Sequence, residues 1–340
     1  MRRVSGYNHA GFFAMTDIGH MKVIDDVRTA PEHFPGVVLT IGSFDGVHLG
    51  HQVIVREVIE RARQRNGTPC ALTMRPHPRE FFSPERPPNL LTDEEKKARL
   101  LAEMGLQVLF VLPFNRDSAG MPKEAFVDEI VVGRCRAREV VVGHDFRFGR
   151  GAEGDYEFLK SYCRRYGIVV DQVAPVQVDG ERVSSTLVRE CLLQGDLDRV
   201  AQLLGRRYSI NGKVIRGRGI GAGLGFPTAN IKPHHSAVPA QGVYAAKAWI
   251  QGMAYPAAVN IGIAPTISHD DLTIEVHVLD FSRDICGEDA ELEFFWRLRP
   301  ERKFPSRKAL VTQIGEDVES VRGFFASHDG CNDQKEPQMP

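Results

Sequence analysis

Three absences narrow the class of protein before any motif is considered. None of the six cysteines lies in a C-x-x-C pair, which argues against a zinc ribbon or a disulfide framework and indicates a reducing, cytoplasmic setting. No apolar run approaches the roughly 18 residues that a membrane span requires, so we expect no membrane partner. The formal net charge is −1, so no strong basic field points to a nucleic-acid partner.

Length and composition predict a globular protein of two domains. A chain of 340 residues exceeds one typical core, and 42% hydrophobic with 26% charged residues is ordinary for a folded protein. We expect a flexible extension over residues 1–20, a first domain over 21–205, a second domain over 206–326 and a disordered polar tail over 327–340.

The first domain alternates strand-like and helical segments. The stretch "GVVLTIG" (36–42) has the continuous apolar run of a buried strand, and "HQVIVREVIERARQR" (51–65) has apolar residues at helical spacing. The alternation continues as far as "IVVDQV" (168–173). It predicts an α/β doubly wound parallel sheet with helices on both faces, in which ligands bind at the carboxyl ends of the strands.

The pattern changes after Gly205. Short strand-like segments such as "GVYAAKAWI" (242–250) and "LTIEVHVLD" (272–280) follow, separated by glycine, proline and aspartate turns. A helical segment over 306–326 ends this region. We therefore predict a small antiparallel β-barrel with a closing helix.

A first candidate site lies in "IGSFDGVHLGHQ" (41–52). His48 and His51 are three residues apart at the start of a predicted helix, so both can point from one face. A helix N-terminus with two imidazoles could hold phosphate and stabilise developing charge, and Gly42 and Gly50 would let backbone approach the ligand. By spacing alone, the pair also fits a solvated helix start, or a zinc pair without a third ligand nearby.

Five motifs occur in one order along this domain: "FDGVHLGHQ", "TMRPHPREFF", "LLTDEEKKARLL", "VVVGHDFRFGRGAEGD" and "RVSSTLVRE". Together they resemble the FMN adenylyltransferase module of bacterial FAD synthetases. The resemblance implies that His48 and His51 bind the ATP phosphates and the transition state. Read alone, "SSTLVRE" also fits a plain helix cap, and "PHP" fits a stiff loop. The further ATP- and flavin-binding residues implied are Gly42, Phe44, Asp45, Gly50, His77, Gly143, Asp145, Arg147, Ser184, Ser185, Thr186 and Arg189.

A second candidate site lies in the glycine-rich stretch "RGRGIGAGLGFPTANI" (216–231). Such a loop lets successive N–H groups converge on phosphates, although glycine density alone also fits a flexible hairpin. It is not a Walker sequence, because no G-K-[ST] follows.

The part "GFPTAN" resembles the P-T-A-N signature of riboflavin kinases, and "NIGIAPT", "IEVHVLDF" and "LRPERKF" continue the resemblance. It implies that Thr228 and Asn230 hold Mg²⁺ with ATP, and that Glu275 takes the proton of the ribityl 5′-hydroxyl. By strand alternation alone, Glu275 is an exposed strand residue. The residues implied to contact ATP or flavin are Gly217, Gly219, Gly225, Pro227, Arg299 and Phe304.

Taken together, the motifs predict a bifunctional, Mg²⁺-dependent enzyme. Riboflavin and ATP would give FMN in the second domain, and FMN with ATP would give FAD and pyrophosphate in the first. We expect only small-molecule partners, and a monomer or weak homo-oligomer. Two alternatives stay open: an adenylyltransferase whose barrel only binds flavin, favoured by the loop "GIGAGLG" and by Cys286 where the family often has tyrosine, and a non-catalytic flavin sensor.

Overall fold

The computed structural model describes residues 16–30, 33–217, 220–235, 237–264 and 271–329. The chain divides into two compact units. The first comprises Met1–Pro88 and Glu94–Arg182, and the second comprises Asn89–Asp93 and Val183–Pro340. Residues 183–205, which the predicted domain limits assign to the first domain, therefore group with the second unit.

The first unit is built on a seven-stranded sheet of order β1-β2-β5-β4-β3-β6-β7. Strands β2 to β7 pair in parallel, which confirms the predicted parallel sheet, and β1 is an antiparallel edge strand within the predicted extension. A two-stranded hairpin, β8 and β9, follows. The strands are β1 Thr16–Ile18, β2 Met21–Ile24, β3 Val38–Ile41, β4 Pro69–Arg75, β5 Val108–Pro113, β6 Glu139–Gly143, β7 Val169–Val173, β8 Gln177–Val178 and β9 Glu181–Arg182.

Helices cover both faces of this sheet. Successive residues of a strand point to opposite faces, and accordingly Leu72 of β4 belongs to one apolar cluster while Ala71 belongs to another. After Pro122, a short helical turn is followed by a π-helix over Phe126–Arg134. The α-helices are α1 Leu49–Gln64, α2 Pro78–Phe82, α3 Glu94–Glu103, α4 Arg116–Ala119, α5 Lys123–Ala125 and α6 Tyr156–Cys163.

The strand order reverses between β3 and β6. From β3 the chain runs outward through β4 and β5 on one side, and then crosses to β6 and β7 on the other. In open α/β sheets, ligands bind in the crevice at the carboxyl ends of the two strands where the order reverses. The segments that follow β3 and β6, residues 42–48 and 144–147, therefore begin at the expected ligand edge.

The second unit contains a closed antiparallel barrel of order β10-β11-β14-β13-β12-β15, which confirms the predicted barrel. Strand β11 was not predicted, and Gly195 in a left-handed conformation separates two helices where the sequence reads as one segment. The strands are β10 Ser209–Ile215, β11 Ala229–Pro233, β12 Gly242–Ile250, β13 Met253–Ala264, β14 Asp271–Val278 and β15 Asp289–Arg299; the helices are α7 Ser185–Gln194, α8 Leu197–Leu204, α9 Ile220–Gly223 and α10 Arg307–Asp329.

Helix α10 is the predicted closing helix. Its buried residues Val318, Val321 and Phe325 form an apolar cluster with Ala245 of β12 and with Leu279, just after β14. This burial seats the helix on the barrel wall. Within the described ranges, the helices are all too short or too polar to traverse a bilayer.

Candidate active sites

His48 and His51 form a stacked pair at the start of α1. His48 is the N-cap residue, and its Nδ1 accepts a hydrogen bond from the backbone N–H of His51 at 3.3 Å. The two rings are nearly parallel, with centroids 3.7 Å apart and an interplanar angle of 16°. Because Nδ1 of His48 is an acceptor, the proton of its neutral ring lies on Nε2, where it can be donated.

His51 is held in its neutral form. Burial lowers its pKa well below the usual histidine value, and electrostatic interactions with His48 and Lys97 lower it further. Its Nδ1 is buried and has no hydrogen-bond partner within the part of the chain that the structure describes. An unsatisfied buried polar atom costs on the order of 1–3 kcal/mol, so this ring is a neutral group that a ligand could complete.

The loop between β3 and α1 turns sharply to bring the pair to the sheet edge. Phe44, Gly46 and Val47 all have positive φ. The Phe44 ring is buried and meets the His51 ring edge to face at 5.4 Å. A Cβ on Gly42 would lie 3.2 Å from Phe44 Cζ, so Gly42 leaves room for this ring. Asp45 is buried in the same loop, and Gly50 lies in the first turn of α1.

Gly143 is the last residue of the neighbouring strand β6, and Asp145 and Arg147 follow it. A Cβ on Gly143 would lie 3.2 Å from Ile54 Cδ1 of α1, so this glycine lets α1 approach the end of β6. Asp145 pairs with Arg182 at 3.6 Å, and Arg147 pairs with Asp155 at 3.3 Å. These pairs lie near the surface, where such interactions stabilise the fold little.

His77 and the serine-rich motif act as helix caps in the structure. Nδ1 of His77 accepts from the Arg79 N–H at 3.1 Å, and the His77 N–H donates to Glu80 Oε2 at 2.9 Å. The Ser184 hydroxyl accepts from the Leu187 N–H at 3.2 Å, with Ser185 and Thr186 in the first turn of α7. Arg189 Nε donates to the Asn89 carbonyl at 2.6 Å. Ser184 to Arg189 belong to the second unit, whereas His48 and His51 belong to the first.

The second unit holds a cavity of about 260 Å³. Four of the predicted kinase-site residues line it: Thr228, Glu275, Arg299 and Phe304. Sequence reasoning missed the polar lining residues Asn260, His277, Glu301, Arg302 and Asp317. Of these, Asn260, His277, Glu301 and Arg302 lie inside quoted motifs and could have been considered; Asp317 gives no local signal.

Glu275 lies in a polar row across three strands. Asn230 of β11 is opposite Glu275 of β14, and Asn260 of β13 is opposite it on the other side. The buried residues Ile274 and Val276 alternate with Glu275 and so lie on the other face of β14. The alternation that suggested an exposed glutamate is therefore present, but the face bearing Glu275 lines the cavity.

Glycines let the loop before β11 pack closely against the P-T-A-N segment. A Cβ on Gly217 would lie 2.0 Å from Asn230 Nδ2. A Cβ on Gly221 would lie 2.4 Å from the Phe226 carbonyl oxygen and 2.9 Å from Thr228 Oγ1. Gly225 has φ of +89°, a conformation that glycine adopts readily. Gly219 lies outside the described residues.

Arg299 is tied to helix α10 at the edge of the cavity. Its Nη2 lies 2.6 Å from Asp317 Oδ2, and its Nε contacts both carboxylate oxygens. The Phe304 ring lies beneath Arg299 and Arg302, with centroid distances of 5.6 and 5.0 Å. The guanidinium is therefore fixed by the carboxylate, while its face is turned to an aromatic ring.

Oxygen donors, rather than a cluster of metal-binding side chains, characterise the candidate site of the second unit. In the ranges that the structure covers, no three His, Cys, Asp or Glu side chains group as a metal site. The Thr228 hydroxyl and the Asn230 amide, beside the Glu275 carboxylate, are hard oxygen donors of the kind that suits Mg²⁺, which keeps several waters and needs few protein ligands.

Comparison with known proteins matches two stretches of this chain to two families. A FAD synthetase family model matches residues 30–187, and a riboflavin kinase model matches residues 204–325. The bifunctional riboflavin kinase/FMN adenylyltransferase of Haemophilus influenzae is 36% identical over 90% of this chain and all of its own length. The protein of the same name from Pseudomonas fluorescens is 39% identical over 87% of this chain and 95% of its own.

A solved structure described as a macrolide-efflux protein from Streptococcus pneumoniae has the same fold, with a TM-score of 0.80 and 29% identity over 89% of this chain and 99% of its own. The α/β unit with its histidine pair and the barrel with its polar cavity define a class of two-domain flavin-nucleotide transferases. Within that class, the chain belongs to the family of bifunctional riboflavin kinase/FMN adenylyltransferases.

Proposed function

We propose that this chain makes FMN from riboflavin and ATP, and then FAD from FMN and a second ATP. The kinase step is assigned to residues 206–326 and the adenylyl transfer to residues 21–205. The kinase assignment rests on one observation: the Glu275 carboxylate and the Thr228 hydroxyl line the same cavity. Binding alone would not require a base there, so a barrel that only holds flavin is not favoured.

In the kinase step, Glu275 acts as general base. Its carboxylate accepts the proton of the ribityl 5′-hydroxyl while that oxygen attacks the γ-phosphorus of ATP, and ADP leaves with the bond that breaks. Thr228 and Asn230 would hold Mg²⁺ with the nucleotide, and the ion would neutralise phosphate charge. The glycines at 217 and 221 let the loop lie close to both ligands.

The flavin is proposed to lie along the apolar part of the cavity. Val243, Ala258, Leu310 and Ile314 contribute to its lining, and an isoalloxazine ring gains from burial against such groups. Phe304 offers an aromatic face beside Arg299 and Arg302. These contacts would leave the ribityl chain directed toward the polar row that contains Glu275.

In the adenylyl transfer, His48 and His51 act as hydrogen-bond donors. An FMN phosphate oxygen attacks the α-phosphorus of ATP, and pyrophosphate leaves. The two imidazoles donate to the phosphate oxygens on which negative charge develops, which stabilises the transition state. Gly143, Asp145 and Arg147, at and after the end of the adjacent strand, would line the ATP and flavin site. Ser184 to Arg189 and His77 keep their proposed ligand roles alongside the capping roles described above.

The remaining proposals concern setting and assembly. Riboflavin, FMN and ATP are the proposed partners, with Mg²⁺ in both steps. The spread of the cysteines along the sequence, with no C-x-x-C pair, supports a cytoplasmic location. A monomer or weak homo-oligomer without nucleic acid is the proposed state, and size-exclusion chromatography with light scattering would test it.

The decisive experiment is a time course with purified full-length protein, riboflavin, ATP and Mg²⁺, in which the flavins are separated chromatographically. We expect FMN first and FAD later. FAD formed only from supplied FMN would contradict the kinase assignment, and FMN without FAD would contradict the transferase assignment. Omission of Mg²⁺ should stop both steps.

A further inference from the structure

His277 holds the chain just before Thr228 at two points. Its Nδ1 lies 2.8 Å from the carbonyl oxygen of Pro227, and its ring meets the Phe226 ring edge to face at 5.7 Å. A carbonyl oxygen can only accept, so Nδ1 must carry the proton and donate it. In the neutral ring the lone pair therefore lies on Nε2.

This histidine shares a cavity wall with the reacting groups. His277 is two residues after Glu275 on β14, so the two side chains leave the same face of the strand. Both line the cavity together with Thr228. The mechanism above gives His277 no part in proton transfer, and its Nδ1 is turned to backbone.

The bond to Pro227 controls the residue that follows. The Pro227 carbonyl belongs to the planar peptide that joins Pro227 to Thr228, so fixing this oxygen fixes the plane from which the Thr228 side chain projects. The proline ring already locks its own φ. On the preceding residue, the Phe226 N–H donates to the Gly221 carbonyl at 2.9 Å. Residues 226–227 are thus held by two hydrogen bonds, one to His277 and one to Gly221.

We propose that His277 is a positioning residue for the kinase reaction. Its Nδ1–H orients the Pro227–Thr228 peptide so that the Thr228 hydroxyl is aimed at the metal–nucleotide complex. This inference depends on the proposed role of Thr228 as a Mg²⁺ ligand. It predicts that the effect of losing His277 falls on Mg²⁺-dependent nucleotide binding and leaves flavin binding unchanged.

Three substitutions in the full-length chain distinguish the two ring nitrogens. In His277→Asn the amide nitrogen stands where Nδ1 stood, in His277→Gln it stands near Nε2, and His277→Leu has no donor. The first readout is the ratio of ADP affinities with and without Mg²⁺, measured by calorimetry. The second is riboflavin binding, followed by quenching of flavin fluorescence. The first unit contributes the same nucleotide background to every variant, and the fluorescence of Trp249 and Trp296, both in the second unit, monitors folding of the barrel.

We expect His277→Asn to keep the wild-type ratio. His277→Gln and His277→Leu should lose about five- to tenfold of the Mg²⁺ enhancement, which corresponds to one net hydrogen bond, with riboflavin affinity unchanged. If His277→Leu fails to fold, comparison of the Mg²⁺ enhancement in the Asn and Gln variants is sufficient to test the proposal. The proposal would be overturned if His277→Gln kept the wild-type Mg²⁺ enhancement and His277→Asn did not. It would also be overturned if the two variants showed the same enhancement. Thr228→Ala serves as reference: if it keeps the full Mg²⁺ enhancement, the metal role of Thr228 itself is wrong.

Discussion

Arg299 and Asp317 form a buried ion pair that fastens the last barrel strand to the closing helix. The two side chains are only 17% and 8% exposed, and the carboxylate also accepts from Gln313 Nε2 at 2.9 Å. A buried charge is tolerated only while its partner is present. The pair therefore fixes the position of the Arg299 guanidinium at the cavity. It also holds helix α10 against the last barrel strand.

We predict that Asp317→Asn destabilises the second unit by about 3 kcal/mol, because the Arg299 charge is left without a counter-charge. Urea unfolding followed by tryptophan fluorescence measures this selectively, since Trp249 and Trp296 are the only two tryptophans of the chain and both belong to that unit.

Asp280→Asn is the matched control. Asp280 and Arg322 also approach to 2.6 Å, but their side chains are 73% and 46% exposed. Solvent screens such a pair, so the control should scarcely shift the unfolding midpoint. Equal effects of the two substitutions would show that burial does not govern the strength of these pairs.

Glu275→Gln should abolish most FMN formation. The amide keeps the shape of the side chain but cannot accept the hydroxyl proton, so we expect a loss of about 10²–10⁴-fold in the kinase rate. FAD formation from supplied FMN should be unchanged. Glu293→Gln, on barrel strand β15 outside the cavity lining, is the control and should leave both rates intact. Kinase activity near the wild-type level in Glu275→Gln would remove the base assignment.

The fold was largely predictable because the buried faces of strands and helices place apolar residues at characteristic spacings in the sequence. The four buried strands β3 to β6 read largely as apolar runs, and β12 was predicted at its observed bounds, Gly242–Ile250. The π-helix over Phe126–Arg134 was not predictable, since an apolar pattern does not distinguish its extra residue per turn from an α-helix. Strand β11, "ANIKP", is too short for its alternation to be read.

The sites were predictable only as far as chemistry is local in sequence. The stacked histidines are three residues apart, and their shared direction follows from helical spacing. The contact of His277 with Pro227 spans 50 residues, and that of Arg299 with Asp317 spans 18. Such pairs arise from barrel closure and helix docking, which no local pattern encodes.

His51→Ala should stop the pathway at FMN. Loss of one preorganised donor to a transition state costs about 10²–10³-fold in rate, and riboflavin phosphorylation should continue because the kinase cavity is in the other unit. His33→Ala, an exposed histidine bonded to Arg136, is the control. Chromatography of the flavins gives both rates; FAD formation at the wild-type rate would mean that the site is misplaced.

His51 should also make the first unit sensitive to acid. An unfolded histidine takes up a proton near pH 6.5, whereas burial lowers the pKa of folded His51 well below that value. The unfolded state therefore binds more protons below about pH 6.5. The contribution to stability is complete above this pH and is lost as the pH falls toward the folded-state pKa, by up to about 1.4 kcal/mol per pH unit.

The measurement compares wild type with His51→Asn, which does not titrate, between pH 7.5 and 5. Hydrogen exchange of peptides from β3 and β6 reports the free energy of opening of the first unit alone. The difference between the two proteins should shrink or reverse as the pH falls. Parallel loss of protection in both would contradict a neutral, half-buried His51.

Gly221→Ala should impair the kinase through the glycine-rich loop. The added Cβ would lie 2.4 Å from the Phe226 carbonyl oxygen and 2.9 Å from Thr228 Oγ1, so backbone must move. Because Thr228 is the proposed Mg²⁺ ligand, we expect the KM for MgATP to rise on the order of tenfold, the effect of misplacing one good polar contact.

Gly223→Ala is the matched control in the same helix, α9. Among the residues that the structure describes, only Arg307 comes within contact range of its added Cβ, with Nη2 at 3.8 Å. Alanine also favours helix over glycine by about 1 kcal/mol, so this variant should bind MgATP at least as well as wild type. If both variants lost MgATP affinity equally, the kinase would require flexibility of the loop rather than close packing of the loop on Thr228.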